Sequence, residues 1–177
     1  MSEMVILVDS QDQQVGTAEK MAAHQQGLLH RAFSVFVLKN TGADLEILMQ
    51  QRKHDKYHCG GLWTNTCCSH PRQGEEVAQA GMRRLQEEMG LQIPLRVLNS
   101  FIYRAEFANG LIEHEYDYVL VGNYNNESIN INPEEVHDYS WMSLPALQSR
   151  LIAEPDLFTP WLQPALNVLQ NYLAGKL

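Results

Sequence analysis

W-T-N-T-C-C-S-H-P-R-Q-G-E-E-V-A-Q-A-G-M-R-R-L-Q-E-E-M-G, Trp63 to Gly90, sets a thiol pair and a histidine directly ahead of a helix. The spacing predicts that helix over Glu75 to Met89. Val77, Gly81, Leu85 and Met89 recur at i+4, Ala78 and Met82 widen the stripe, and Gly90 is the stop. Beside the stripe, Arg84 and Glu88 are i, i+4, and so are Arg83 and Glu87. Cys67 and Cys68 fall in a loop or strand end just before His70-Pro71. Together these are parts for metal-assisted acid/base chemistry on a phosphorylated substrate.

Outward from this stretch the elements are mostly strands. Ala32 to Leu38 (A-F-S-V-F-V-L) is aromatic and β-branched, hence a buried strand, and K-N-T-G-A-D turns it into a hairpin with Leu45 to Gln50. Met4 to Val8, Val97 to Phe107, Glu113 to Asn123 and Tyr139 to Met142 read as further strands. Thr17 to His24 reads as a short helical or irregular piece, and Gln51 to Gly61 as a polar loop. Leu144 to Leu151 and Trp161 to Leu173 read as helices. Hairpins rather than repeated βαβ crossovers give an α/β protein of the α+β type.

The chain has 177 residues, 45% apolar and 19% charged, which suits one soluble domain over residues 1–177. No apolar stretch approaches the ~20 residues of a membrane span, and M-S-E-M-V-I-L-V-D-S does not look like a signal peptide. Three cysteines, two adjacent, make a poor disulfide framework, so a reducing cytoplasm is expected. A net charge of −8 argues against nucleic acid as partner. A phosphate ester remains open to local cations, and nothing in the sequence asks for more than a monomer.

Read alone, several candidates have two readings. R-R-x-x-E-E can be two surface ion pairs. His24, His30 and His70 can be scattered polar residues, since no H-x-x-E-H or H-E-x-x-H spacing occurs. Glu113 and Glu115 alternate in a strand, so both face one way while His114 faces the other. Three imidazoles and two carboxylates suit Zn²⁺, Mn²⁺ or Mg²⁺. Cys67 and Cys68 are either small buried residues or hold a reactive thiol, and Trp63 and Trp161 suit a core.

Ser69 to Leu91 resembles the Nudix box, G-x5-E-x7-R-E-U-x-E-E-x-G-U, through Glu75, Arg83, Leu85, Glu87, Glu88, Gly90 and Leu91. Ser69 stands for its first Gly and Arg84 for the Glu after Arg. T-A-E-K-M-A-A-H, L-H-R-A-F-S, W-T-N-T-C-C-S-H-P, F-I-Y-R-A, the E-x-E pair and F-T-P-W occur in order from Val5 to Trp161. This set resembles the type I isopentenyl-diphosphate isomerases, a branch of the Nudix fold that carries a modified box and does not hydrolyse its substrate. The resemblance implies a Nudix-like mixed sheet sandwiched between helices.

It also implies roles. Cys68 matches the catalytic thiol, with Cys67 a bystander. Glu115 matches the second proton-transfer residue, and Tyr103 sits where a residue assists it. His24, His30, His70, Glu113 and Glu115 match metal ligands for Mn²⁺ or Zn²⁺ (or Mg²⁺), and Glu88 matches the carboxylate that holds Mg²⁺ on the diphosphate. Lys20, Arg52, Lys56 and Arg84 match phosphate contacts, and Trp161 the aromatic facing the hydrocarbon.

The expected reaction is isomerisation of isopentenyl diphosphate to dimethylallyl diphosphate by protonation and deprotonation through a tertiary carbocation, in isoprenoid biosynthesis. An N-terminal segment and the C-terminal helix are expected to close over it and exclude water. The competing readings are a Nudix hydrolase, which needs the carboxylate that Arg84 replaces, and a silent binding protein.

Overall fold

β3 (His30–Asn40) runs through the middle of the sheet, and its side chains alternate between two cores. Phe33, Val35 and Val37 face one core, while Phe36 and Leu38 face the other. That double burial is why the strand reads as an unbroken apolar run. This computed structural model describes residues 2–175.

β3 has neighbours of both senses. It runs antiparallel to β1 (Met4–Val8), β4 (Leu45–Arg52) and β6 (Cys67–Ser69), and parallel to β8 (Ile112–Asn123). β2 (Gln14–Glu19) pairs with β1, and β5 (Trp63–Thr64) and β9 (Val136–Ser143) pair with β4. β7 (Arg96–Glu106) pairs with β8. Helix α1 (Lys20–Gln26) follows β2 directly. Helix α2 (Val77–Met89) covers one face of the sheet through Ala80, Leu85 and Met89. Helices α3 (Leu144–Ala153) and α4 (Leu162–Leu173) cover the other through Leu147, Leu162, Ala165, Leu166 and Leu169. The mixed sheet between helices is the architecture the sequence leads one to expect.

Several local expectations are corrected. Thr17 to Glu19 is strand, because the segment zips antiparallel onto β1 from Met4↔Glu19, and the helix begins only at Lys20. Gln51 and Arg52 extend β4 rather than opening the loop. On α2 the stripe is widened by Ala80 and Glu88, whereas Met82 is exposed. Of the two segments expected to close over the site, the N-terminal one is anchored in the sheet by Val5, Ile6 and Val8 while Ser2, Glu3 and Met4 line a cavity, and α4 packs into a core through Leu162, Ala165, Leu166 and Leu169.

Gly90 ends α2 at φ 71°, and its N–H donates to Gln86 O at 3.0 Å. A Cβ there would stand 2.8 Å from the backbone oxygen of Asn130, whose own N–H donates to Met89 O. Gly90→Ala therefore adds a left-handed penalty to a backbone clash. It is expected to lower stability by about 2–4 kcal/mol, read as a shifted urea midpoint at unchanged slope. An unchanged midpoint would contradict this account of the helix end.

Candidate active site

The parallel pairing of β3 with β8 sets His30 opposite Glu115. Along β8, Glu113, Glu115 and Asp117 share one buried face, while His114 points to the other and its Nδ1 donates to Gly27 O at 3.1 Å. Across β7, Tyr103 is the register partner of Glu115, and its hydroxyl is buried with no hydrogen-bond partner.

α1 delivers His24. Glu19 caps that helix by accepting from Ala22 N, and Gly27 closes it at φ 67°. His24 Nδ1 donates to Lys20 O at 2.7 Å, and His30 Nδ1 to Leu28 O at 2.9 Å. A carbonyl can only accept, so both rings carry the proton on Nδ1 and turn a bare Nε2 inward. Those two Nε2 atoms are buried and have no hydrogen-bond partner among the described residues. His70 joins them, so that one ring nitrogen from each of the three histidines lies within 4.8 Å of the others. His70 Nε2 is 3.0 Å from Glu115 Oε2, and His30 Nε2 is 3.5 Å from the same oxygen. Buried, orphaned lone pairs converging beside two carboxylates fit a divalent cation.

The electrostatics suit ligand duty at His24 and His70, whereas at His30 burial is outweighed by Glu115 and the pKa is raised. Burial lowers the pKa of His24 and holds that of His70 well below the usual imidazole value, so both are neutral. Burial and then the Glu115 charge push Glu113 up to about 7. Burial also raises Glu115, but the neighbouring His30 ring outweighs it and leaves the net shift downward. A site that strains two adjacent carboxylates in this way is one that a cation relieves.

Cys68 lies on β6, opposite Ser34 on β3. Its thiol donates to Asn65 Oδ1 at 3.1 Å, Trp161 Nε1 donates to its sulfur at 3.1 Å, and Ser34 Oγ is 3.6 Å away. Both Asn65 amide protons are taken by Val35 O and Cys67 O, which fixes Oδ1 as the acceptor. Thr159 donates to Thr64 and Thr64 to Asn65 Oδ1, so F-T-P-W and T-N-T-C-C are joined by one hydrogen-bonded chain. Burial and then the Asp117 charge push the Cys68 thiol up to about 12, so it holds its proton at neutral pH. Cys67 points the other way, fully buried in the core against α2.

Two cavities meet at Cys68. The inner one, about 30 Å³, is lined by Phe33, Tyr57, His58, Glu113, Glu115, Asp117 and Trp161 among others. The outer one, about 630 Å³, carries Lys20, Arg52, Lys56, Arg72, Arg83 and Arg84. Arg52, Tyr57, Cys68, Ser69 and His70 line both. His24 and His30 stand behind these walls rather than in them. Within the outer cleft Lys20 pairs with Glu3 at 3.0 Å, and Lys56 reaches Glu135 at 3.9 Å. Arg84 bonds Glu87, Glu88 and Glu135 at 2.5, 2.6 and 2.6 Å. Glu88 is thus held by Arg84 on one oxygen and by Gln50 Nε2 on the other, at 2.9 Å. Arg52 sits 5.3 Å from the centre of the Trp161 ring and its Nε is unpartnered.

Four site residues escape the sequence reading. Asp117 accepts from Ser34 at 2.9 Å and continues the alternation of Glu113 and Glu115, a signal of period 2 that was there to use. His58 lies in the polar loop, with Nε2 2.6 Å from Glu113 Oε2. Glu135 comes from N-P-E-E, and neither it nor His58 has any periodicity to mark it. Gln50 looked like an ordinary strand end.

A NUDIX domain model matches residues 28–162. Among solved structures, a Deinococcus radiodurans protein superposes with a TM-score of 0.75 at 20% identity, covering 96% of this chain and 99% of that one. The NUDIX domain of Shewanella oneidensis NrtR, solved with ADP ribose, gives 0.62 at 15% identity over 82% and 87%. These establish the fold. Sequence relatives are much nearer. Isopentenyl-diphosphate Delta-isomerase of Photobacterium profundum is 51% identical over 98% of this chain and 98% of its own. Isopentenyl-diphosphate Delta-isomerase 2 of Photorhabdus laumondii is 48% identical over 96% and 93%. Likeness of that extent, over the segments that build both cavities, makes this chain a member of the isopentenyl-diphosphate Delta-isomerase family within the NUDIX fold.

Proposed function

We propose that the chain, acting as a single Nudix-like domain and a monomer in the cytoplasm, converts isopentenyl diphosphate to dimethylallyl diphosphate by protonation and deprotonation. The observation that carries the reading is the junction of the two cavities at Cys68. The basic outer cleft, about 630 Å³, takes the diphosphate and brings the hydrocarbon to Cys68 at the junction, since the inner cavity of about 30 Å³ has room for about one water.

One acid/base group delivers a proton to C4 of the alkene, leaving a tertiary cation at C3, and a second takes a proton from C2. Cys68 and the Glu115–Tyr103 pair are the two groups. Burial and the Asp117 charge keep the proton on Cys68, and the Trp161 indole N–H already bonds the sulfur that would carry charge once it is given up. The Trp161 indole flanks the reacting carbons, where an aromatic face stabilises a desolvated cation by about 2 kcal/mol. His24, His30, His70, Glu113 and Glu115 would hold a Mn²⁺, Zn²⁺ or Mg²⁺ ion, and Glu88 a Mg²⁺ ion on the diphosphate; bound there, they supply positive charge that acidifies a neighbouring proton donor and neutralises phosphate. Arg52, Lys20 and Lys56 orient the diphosphate from the cleft walls. Arg84, already tied to three carboxylates, fixes Glu88 as well as facing the cleft. That ion-paired helix flank supports isomerisation over hydrolysis, which needs free carboxylates.

The test is proton and phosphorus NMR of the protein with isopentenyl diphosphate and Mg²⁺ in D₂O. Deuterated dimethylallyl diphosphate with the diphosphate intact is the expected product. Released phosphate with an unchanged alkene would replace this reading with a hydrolase, and no turnover with a binding protein.

A further inference from the structure

We propose that His58 is a metal ligand, forming with His24 and Glu113 an ion position that adjoins the one set by His24, His30 and His70 and shares His24 with it. The proposal rests on reading the histidine centre as a metal site. One donor atom from each of His24, His58 and Glu113 lies within 4.8 Å of the other two, and all three residues are buried. Two imidazoles and a carboxylate are a donor set that divalent cations of the zinc type accept.

The placement of the His58 ring suits a ligand of that position. His58 Nε2 is 2.6 Å from Glu113 Oε2, yet neither His58 ring nitrogen has a partner in hydrogen-bonding geometry. An ion bound by both atoms would replace this contact and spread them to roughly 3.3 Å, the spacing of tetrahedral ligands about 2.0 Å from zinc. The ring is held for this: it stacks on Phe107 at 4.7 Å and 10°, and its backbone oxygen accepts from Arg52 at 3.2 Å. His24 Nδ1 is committed to Lys20 O, so its Nε2 serves one position at a time. His58 and Glu113 line the inner cavity, whereas His24 and His30 do not. Both positions are therefore reached from the inner cavity, the first through His70 and the second through His58 and Glu113.

The experiment is long-range ¹H–¹⁵N NMR of the seven histidine rings in the full chain, without and with excess Zn²⁺. All four rings of His24, His30, His58 and His70 are expected to respond, His24 fully and the others in proportion to how the ion divides between the two positions. A response from three rings only, with Zn²⁺ taken up, overturns the proposal and leaves the metal centre standing. No response from any ring overturns both. His58→Asn keeps an N–H for Glu113 but removes the imidazole. It is expected to lower Zn²⁺ affinity at least about tenfold in chelator competition, and wild-type affinity would mean that His58 only steadies Glu113. The ring count needs no variant, so it holds even if His58→Asn folds poorly.

Discussion

Cys68→Ala is expected to lower isomerisation by about 10³–10⁴-fold, the upper range for loss of a positioned proton donor, while diphosphate binding stays nearly unchanged. The proposed diphosphate contacts, Lys20, Arg52 and Lys56, line the outer cleft, and the thiol is at its inner end. Cys67→Ala is the control. That side chain points into the core against Phe33, Val35 and Leu85, so its loss leaves a small void and costs about 1 kcal/mol of stability with little change in rate. Adjacent residues of a strand face opposite ways, and this alone separates two chemically identical groups. Steady-state rates and calorimetric titration of both variants decide it. Equal losses of rate would remove the assignment of Cys68.

Glu115→Gln is expected to lose both turnover and metal. The amide keeps the shape but withdraws the charge that His30 and His70 face at 3.5 and 3.0 Å. Turnover should fall by about 10³-fold or more, as for any group that moves the proton in the rate-determining step. Metal content after dialysis should fall with it. Glu113→Gln should reduce metal content too, yet retain more activity, because Tyr103 stands opposite Glu115 in the ladder and not opposite Glu113. Full turnover in Glu115→Gln would leave the second acid/base group without a name.

Much of this site was legible because it is written in local periods. The alternation at Glu113 and Glu115 gave their shared face, and the stripe on α2 gave the face from which Glu88 emerges. The chemistry of Cys68 against Cys67 came from motif resemblance, and the structure adds the reason in their opposite facings. Met82 was misplaced because its hydrophobicity suggested burial, while Glu88, a charged residue, took a buried position once Gln50 and Arg84 satisfied its two oxygens. His58 and Glu135 were illegible for another reason. They come from irregular loops, and only the packing of β4 against β9 brings those loops to the cleft. The β2 strand was missed since its partner, β1, had to be in place before its own alternation meant anything.

The parallel pairing of β3 with β8 also governs the order in which the protein comes into being. Parallel neighbours need a long crossover, here everything from the β3–β4 hairpin to β7. During synthesis His24, His30, Cys68 and His70 all leave the ribosome before Glu113 and Glu115 exist. A nascent chain thus displays soft nitrogen and sulfur donors without the carboxylates that complete the cage. Docking of β8 is the late, long-range event that ends this exposure, and from then on every bound ion adds to the stability of the closed sheet.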